Sequence, residues 1–137
     1  MDVFFALLKV QNFLFKNNLR RLAAITRKVV RVIYSCDIGE SFEIPEGIRF
    51  GHSALGIVIH KNAKIGKNVF VGHNVTIGNT AGSKHPPIIG NNCKLMVGSI
   101  VLGHCMIGNN SVVGAGTVIV NKSFPDNTLI IGEQGRN

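Results

Sequence analysis

The feature that most constrains this chain is an apolar residue returning every sixth position. From Ile65 onward the series reads Ile65, Val71, Ile77, Ile89, Leu95, Val101, Ile107, Val113 and Ile119, and Ser83 is its single break. Four positions after each slot sits a small or β-branched residue: Val69, Val75, Ala81, Cys93, Ser99, Cys105, Ser111, Thr117 and Ser123. Glycine follows the apolar residue at Gly66, Gly72, Gly78, Gly90, Gly108 and Gly114, and asparagines fill the turn slots between. Upstream, Ile38, Ile44 and Phe50 keep the step, and Ile59 restarts it after a three-residue insertion. A period of six is neither the 3.6 of a helix nor the alternation of a meander. It marks a parallel β-helix, in which three hexapeptides close a triangular coil of roughly 18 residues. Residues one coil apart should then stack: Val71 on Ile89 on Ile107, and Ile77 on Leu95 on Val113. Apolar residues point inward, small ones fill the corners, and Asn and Gly take the left-handed backbone at the turns.

The first 35 residues are different. They hold none of the 16 glycines, and they carry seven basic residues against the single acid Asp2, which accounts for six of the eight net positive charges. This segment reads as two helices. Asp2 caps the first, Asn17-Asn18 breaks the chain, and the second runs to about Ile33. Leu19, Leu22, Ala23, Ile25, Val29, Val30 and Ile33 give the second helix a broad apolar face, expected to pack on its own protein or on a partner subunit. Its basic residues also suit peripheral contact with an anionic membrane surface. No nucleic-acid role is expected. The domain reading is a helical arm over 1–35 and a β-helix over 36–137.

At 137 residues, 45% hydrophobic and 16% charged, one folded domain is expected. No run reaches the ~18 apolar residues that cross a bilayer, and the start lacks the basic region of a secretory signal. Cys36, Cys93 and Cys105 form no C-x-x-C pair, which suggests reduced thiols and a cytoplasmic protein. Cys93 and Cys105 occupy small corner slots, so packing is their expected role. The histidine spacings of 8, 13, 12 and 19 contain no close pair of metal ligands, and no metal is expected.

The repeat, with Gly56-Ile57-Val58-Ile59, Ala63-Lys64-Ile65-Gly66 and Val75-Thr76-Ile77-Gly78, resembles the hexapeptide-repeat acyltransferases. Within them it is similar to the serine acetyltransferases and the O-acetyltransferases of polysaccharide gene clusters. The resemblance covers about residues 36–132. It implies a left-handed coil, against the usual right-handed crossover rule, a homotrimer, and acetyl-CoA held in the groove between adjacent β-helices. Phe50-Gly51-His52-Ser53-Ala54-Leu55-Gly56 matches the family's catalytic Asp-His segment, and Ser83-Lys84-His85-Pro86-Pro87 matches its loop-histidine segment. His52 and His85 inherit those positions. Three departures stand out. Gly51 replaces the aspartate, the segment from His52 to Gly56 is one residue longer, and the large N-terminal helical domain of serine acetyltransferases has no counterpart. The C-terminal Gly-x-Pro-Ala is replaced by Gly132-Glu133-Gln134-Gly135.

The implied chemistry is acetyl transfer to an alcohol, with His52 as general base. A base needs an acceptor on its second ring nitrogen, and a backbone carbonyl, Glu40, Glu43 and Glu46 are the candidates. His85 is expected to touch substrate or cofactor, while His60, His73 and His104 read as exposed turn residues. By the same resemblance Gly78, Asn79, Thr80, Gly98, Ser99 and Gly116 line the acetyl-CoA groove. A backbone N–H near Gly78-Asn79 would meet the oxyanion, and Lys84 and Lys122 the CoA phosphates. The charges that would hold a serine zwitterion are missing. A neutral sugar hydroxyl in cell-envelope polysaccharide synthesis is therefore the expected acceptor, with serine the alternative and a non-enzymatic surface module a third reading.

Overall fold

The computed structural model describes residues 2–132. Met1 and residues 133–137, including most of the departing C-terminal motif, lie outside the described residues. Two helices, α1 (Val3–Lys16) and α2 (Arg20–Tyr34), precede thirteen short strands. The Asp2 carboxylate accepts from the Phe4 N–H at 3.1 Å, as expected of the cap. The break falls at Asn17-Asn18, where Asn18 takes φ +62°.

The strands form three parallel sheets. The first joins β1 (Asp37–Ile38), β3 (Val58–Ile59), β6 (Thr76–Gly78), β9 (Ile100–Leu102) and β12 (Val118–Val120). The second joins β4 (Lys64–Ile65), β7 (Ile88–Ile89) and β10 (Met106–Ile107). The third joins β2 (Arg49–Phe50), β5 (Phe70–Val71), β8 (Lys94–Leu95), β11 (Val112–Val113) and β13 (Leu129–Ile130). Strands visited in rotation across three sheets make a left-handed parallel β-helix. The inward row of the first sheet, Ile38, Ile59, Ile77, Val101 and Ile119, is buried throughout. So are the corner residues Val69, Val75, Cys93, Ser99, Cys105, Ser111 and Thr117.

The stacking differs from the simple 18-residue rule. Val71 pairs with Leu95, not Ile89, and Ile77 pairs with Val101, not Leu95. The reason is local to the break at Ser83. The Asn79 side-chain amide donates to the Ser83 carbonyl at 2.6 Å, and the Ser83 N–H returns to the Thr80 carbonyl at 3.1 Å. These bonds close the segment on itself as a loop that supplies no rung, so the coil register advances by one extra hexapeptide there. Beyond it, Ile89 stacks on Ile107 and Leu95 on Val113 as expected.

Glycine and asparagine also divide the corner work. At one corner Asn68, Asn92 and Asn110 take the left-handed conformation, near φ +56°. Their side chains form a ladder, with Asn68 donating to Asn92 at 3.4 Å and Asn92 to Asn110 at 3.2 Å. Gly90, two residues earlier, is needed for space: a Cβ there would lie 2.8 Å from the Asn109 backbone nitrogen.

The arm closes the N-terminal end of the coil, as repeat folds require of a cap. Phe4 and Leu8 are buried, and Phe4 meets Tyr34 and Phe50 edge-on at 4.9 and 5.6 Å. Gln11 donates to the Ile38 carbonyl at 3.0 Å. Arg27 of α2 bonds Asp37 at 2.7 Å and Glu40 at 2.8 Å. Its guanidinium is pushed above its ordinary range, chiefly by the Asp37 hydrogen bond, against a smaller opposing effect of burial. Within one chain only part of the apolar face of α2 is packed. Ala23 and Val30 are buried, whereas Leu22, Ile25, Val29 and Ile33 are exposed.

Gly90→Ala should lower unfolding stability by about 1–3 kcal/mol, the scale of overpacking. Asn92→Gly should cost about 1 kcal/mol or less, because glycine accepts the same φ. Urea denaturation of both variants measures the contrast.

Candidate active site

His52 sits at the corner between the third and first sheets, in a 3-10 turn spanning Gly51–Ala54. His52, Ser53 and Ala54 all adopt positive φ, at 49°, 51° and 64°. Three consecutive non-glycine residues in this region cost on the order of 1–2 kcal/mol each. Such strain persists only where the surroundings impose it, and active sites are where it collects. Here the His52 carbonyl accepts from Leu55, the Ala54 carbonyl accepts from Ile57, and the Ala54 side chain is fully buried. The result is an exposed imidazole on a rigid corner.

The structure brings a second histidine to it. The His73 ring meets His52 at 4.7 Å between centroids, nearly perpendicular. Phe50 pairs with Val71, so the residues two further along each strand share the corner. His85 is likewise joined by His104, with ring centroids 5.1 Å apart. His73 and His104 read in the sequence as plain turn residues. Their signal is the rung register, hidden for His73 by the insertion between Phe50 and Ile59 that sets Phe50 on Val71, and for His104 by the Ser83 loop. His60 does act as a turn residue, its Nδ1 accepting from the Asn62 N–H at 3.1 Å.

The carboxylates considered as partners of His52 are engaged elsewhere. Glu40 binds Arg27, Glu43 lies 3.7 Å from Lys16, and Glu46 lies 3.0 Å from Lys67. Asp37 holds Arg27, Asp2 caps α1, and Asp126 accepts from the Asn109 N–H. Among the described residues His52 therefore has no acidic partner. A Cβ at Gly51 would make only ordinary van der Waals contact, with the His73 backbone nitrogen nearest at 3.4 Å.

His52 and His85 are not brought together within one chain. His73 precedes β6 and the His85 loop follows it, so a rung of the first sheet separates the two pairs. Six residues of extended chain cover roughly 20 Å. The other candidates divide between these corners. Gly98 and Gly116 belong to the His52 corner: the Gly98 N–H donates to the His73 carbonyl at 3.1 Å, and Gly116 donates to the next rung, at Val97. A Cβ at either glycine would meet nothing within 4 Å, so their backbone is open to an extended ligand. Ser99 is fully buried with its hydroxyl unpartnered, and its N–H and carbonyl bond Met96 and Thr76. It offers no group outward, so Gly98 presents that turn. Gly78 accepts from Gly103. Both ends of the Asn79 side chain are engaged, one by the Ser83 carbonyl and the other by the Thr80 N–H, so it staples the loop. Lys84 and His85 are exposed on that loop, and the Ser83 hydroxyl holds the His85 backbone at 3.2 Å. Lys122 lies over the Phe124 ring at 5.3 Å, in a depression of about 480 Å³ at the C-terminal end. A larger depression of about 690 Å³ lies between α1 and the first coil. Neither contains a histidine of the two pairs.

The cysteines face inward. Burial pushes the Cys36 thiol up to about 11, with Asp37 adding to it, and burial also raises Cys93. Both stay protonated near neutral pH, which argues against thiolate chemistry. Among the described residues no cluster of three or more His, Cys, Asp or Glu could hold a metal.

The family described as "Bacterial transferase hexapeptide (six repeats)" matches residues 86–121. A putative colanic acid biosynthesis acetyltransferase, WcaB, of Escherichia coli K12 is 39% identical over 128 residues, covering 88% of this chain and 77% of the relative. The serine acetyltransferase of Bacillus pumilus is 31% identical over 131 residues, covering 93% of this chain and 59% of that enzyme. Among solved structures, the Brucella abortus serine acetyltransferase in complex with coenzyme A superposes with TM-score 0.88 at 27% identity. That match covers 96% of this chain and 53% of the enzyme. The Neisseria gonorrhoeae serine acetyltransferase in complex with serine gives TM-score 0.88 at 25% identity, covering 98% and 55%. The chain belongs to the hexapeptide-repeat acetyltransferases, the class that includes WcaB and the serine acetyltransferases. It spans less than two thirds of the length of the serine acetyltransferases it matches.

Cys36 gives a test by pH. An unfolded thiol ionises near 9, so the contribution of Cys36 to stability is intact below that and is lost as pH rises through about 11. Denaturation midpoints should fall over this window, and Cys36→Ala should flatten the fall. At pH 8, alkylation of the folded chain should be slow and that of the urea-unfolded chain fast.

Proposed function

We propose that this chain, a helical arm over 1–35 and a β-helix domain over 36–137, is an acetyl-CoA-dependent O-acetyltransferase that works as a cytoplasmic homotrimer. The strained turn that presents His52 carries this reading. His52 takes the proton of an acceptor hydroxyl as its oxygen adds to the thioester carbonyl. The carbon–sulfur bond then breaks, CoA leaves as its thiol after regaining a proton, and the acetyl ester is released. Backbone along Gly98 and Gly116 would accommodate the pantetheine arm, Thr80 and the Gly78-Asn79 turn would border it, and Lys84 or Lys122 would meet its phosphates.

The trimer reading rests on the separation of the two histidine pairs. A site that uses both must draw His52 from one subunit and His85 from its neighbour. Outward aliphatic residues on the sheets, such as Val58, Ile88, Met106 and Val118, supply apolar surface for that association.

The acceptor proposed is a sugar hydroxyl. A serine ammonium in a site with no acidic partner for His52 among the described residues would be left unpaired, which weakens its binding. The name of the Escherichia coli relative agrees with a glycan acceptor. Serine is the second reading, supported by the structural likeness to an enzyme crystallised with serine.

Free-thiol release from acetyl-CoA, with nucleotide sugars and serine as acceptors, tests the reading. Efficient O-acetylserine formation, with sugars inert, would replace the sugar by serine. His52→Asn, in a residue that tolerates the left-handed turn, should lower turnover about 10²-fold or more. Mixed refolding of the His52→Asn and His85→Ala chains should restore about a quarter of the sites, since random trimers pair one intact His52 with one intact His85 at that frequency. No recovery would mean that both histidines act within one chain.

A further inference from the structure

We propose that α2 is a lipid-docking helix, which seats the protein on an anionic bilayer surface through one exposed stripe. The inference is independent of the acyl acceptor. Leu22, Ile25, Val29, Val32 and Ile33 are between 42% and 82% exposed. At about 100° per residue they fall within one sector roughly 100° wide. Ala23 and Val30, the residues that α2 buries, fall on a separate sector. The stripe is therefore surplus to the packing of the arm on its own coil.

Charge identifies the occupant. Arg21 and Lys28 border the stripe, Arg20 and Arg31 lie further round, and α2 contains no acidic residue. The nearby carboxylates Asp37 and Glu40 already face Arg27, with Arg31 at 3.8 Å from Asp37. A second copy of the arm would set one cationic border against another. Nucleic acid would satisfy the cations and leave five aliphatic side chains in water. A bilayer of anionic phospholipid satisfies both sets: acyl chains cover the stripe, and Arg21 and Lys28 reach the phosphates at its edge. Among the described residues no helix is long and apolar enough to cross a membrane, so this contact lies along the surface.

The full chain, sedimented with vesicles, tests this. Pelleting should be about tenfold greater with mixed phosphatidylglycerol–phosphatidylcholine vesicles than with phosphatidylcholine alone, and should weaken with salt. Ile25→Glu with Val32→Glu should abolish pelleting without changing the melting temperature, since both side chains face solvent. Arg21→Glu with Lys28→Glu should remove the preference for anionic vesicles. Three results would overturn the proposal: equal binding to both vesicle types, binding that survives the Ile25/Val32 pair, or binding to an oligonucleotide in preference to vesicles. Velocity sedimentation separates the remaining case: if the Ile25/Val32 pair instead dissociates the oligomer and vesicle binding is absent, the stripe is a contact between copies.

Discussion

Everything in this molecule depends on coils stacked at the spacing of a β-ladder. Successive backbones lie about 4.8 Å apart and bond through their own N–H and carbonyl groups. That spacing leaves no room for side chains where two corners pass closely. It sets the glycine at Gly90, the left-handed asparagines beside it, and the small inward residues from Val69 to Thr117. The core is a set of one-residue columns, and each inward residue touches the one above and the one below.

The same constraint explains the form of the candidate site. A uniform stack has no cavity, so chemistry must sit on corners and on segments that leave the coil. The Gly51–Ala54 turn and the Asn79–Pro87 loop are two such departures. One carries His52 and the other His85, and each rests against a histidine of the next rung. One chain presents the two pairs on opposite edges of a sheet, so assembly becomes part of the chemical question.

Much of this was legible in the residues. The inward rows, the corner slots and the two helices follow from patterns that repeat within a few positions. His52 and His85 stand out through short segments that match the family, whereas the left-handed backbone of residues 52–54 has no signature in the sequence. The stacking partners of Val71 and Ile77 were not legible, because one self-closing loop adds a hexapeptide between rungs that pair across it. The pairing of His52 with His73 is hidden by the insertion between Phe50 and Ile59, and that of His85 with His104 by the loop. The engagement of Glu40 and Glu43 by cations of the arm depends on how the arm docks. The solvent exposure of the α2 stripe depends on it too, since periodicity reports an apolar face without reporting what covers it.

By itself the sequence determined the β-helix, because a six-residue period admits few other ways to bury its apolar positions. It also determined where helix gives way to coil, since glycine and asparagine are demanded only at the turns. Tertiary structure alone decided which rungs meet, which histidines pair, which cations hold the carboxylates, and which side of α2 faces water. Those properties depend on distances between segments far apart in the chain. Such distances are set by the register of the whole stack and the docking of the arm, and no local pattern contains them.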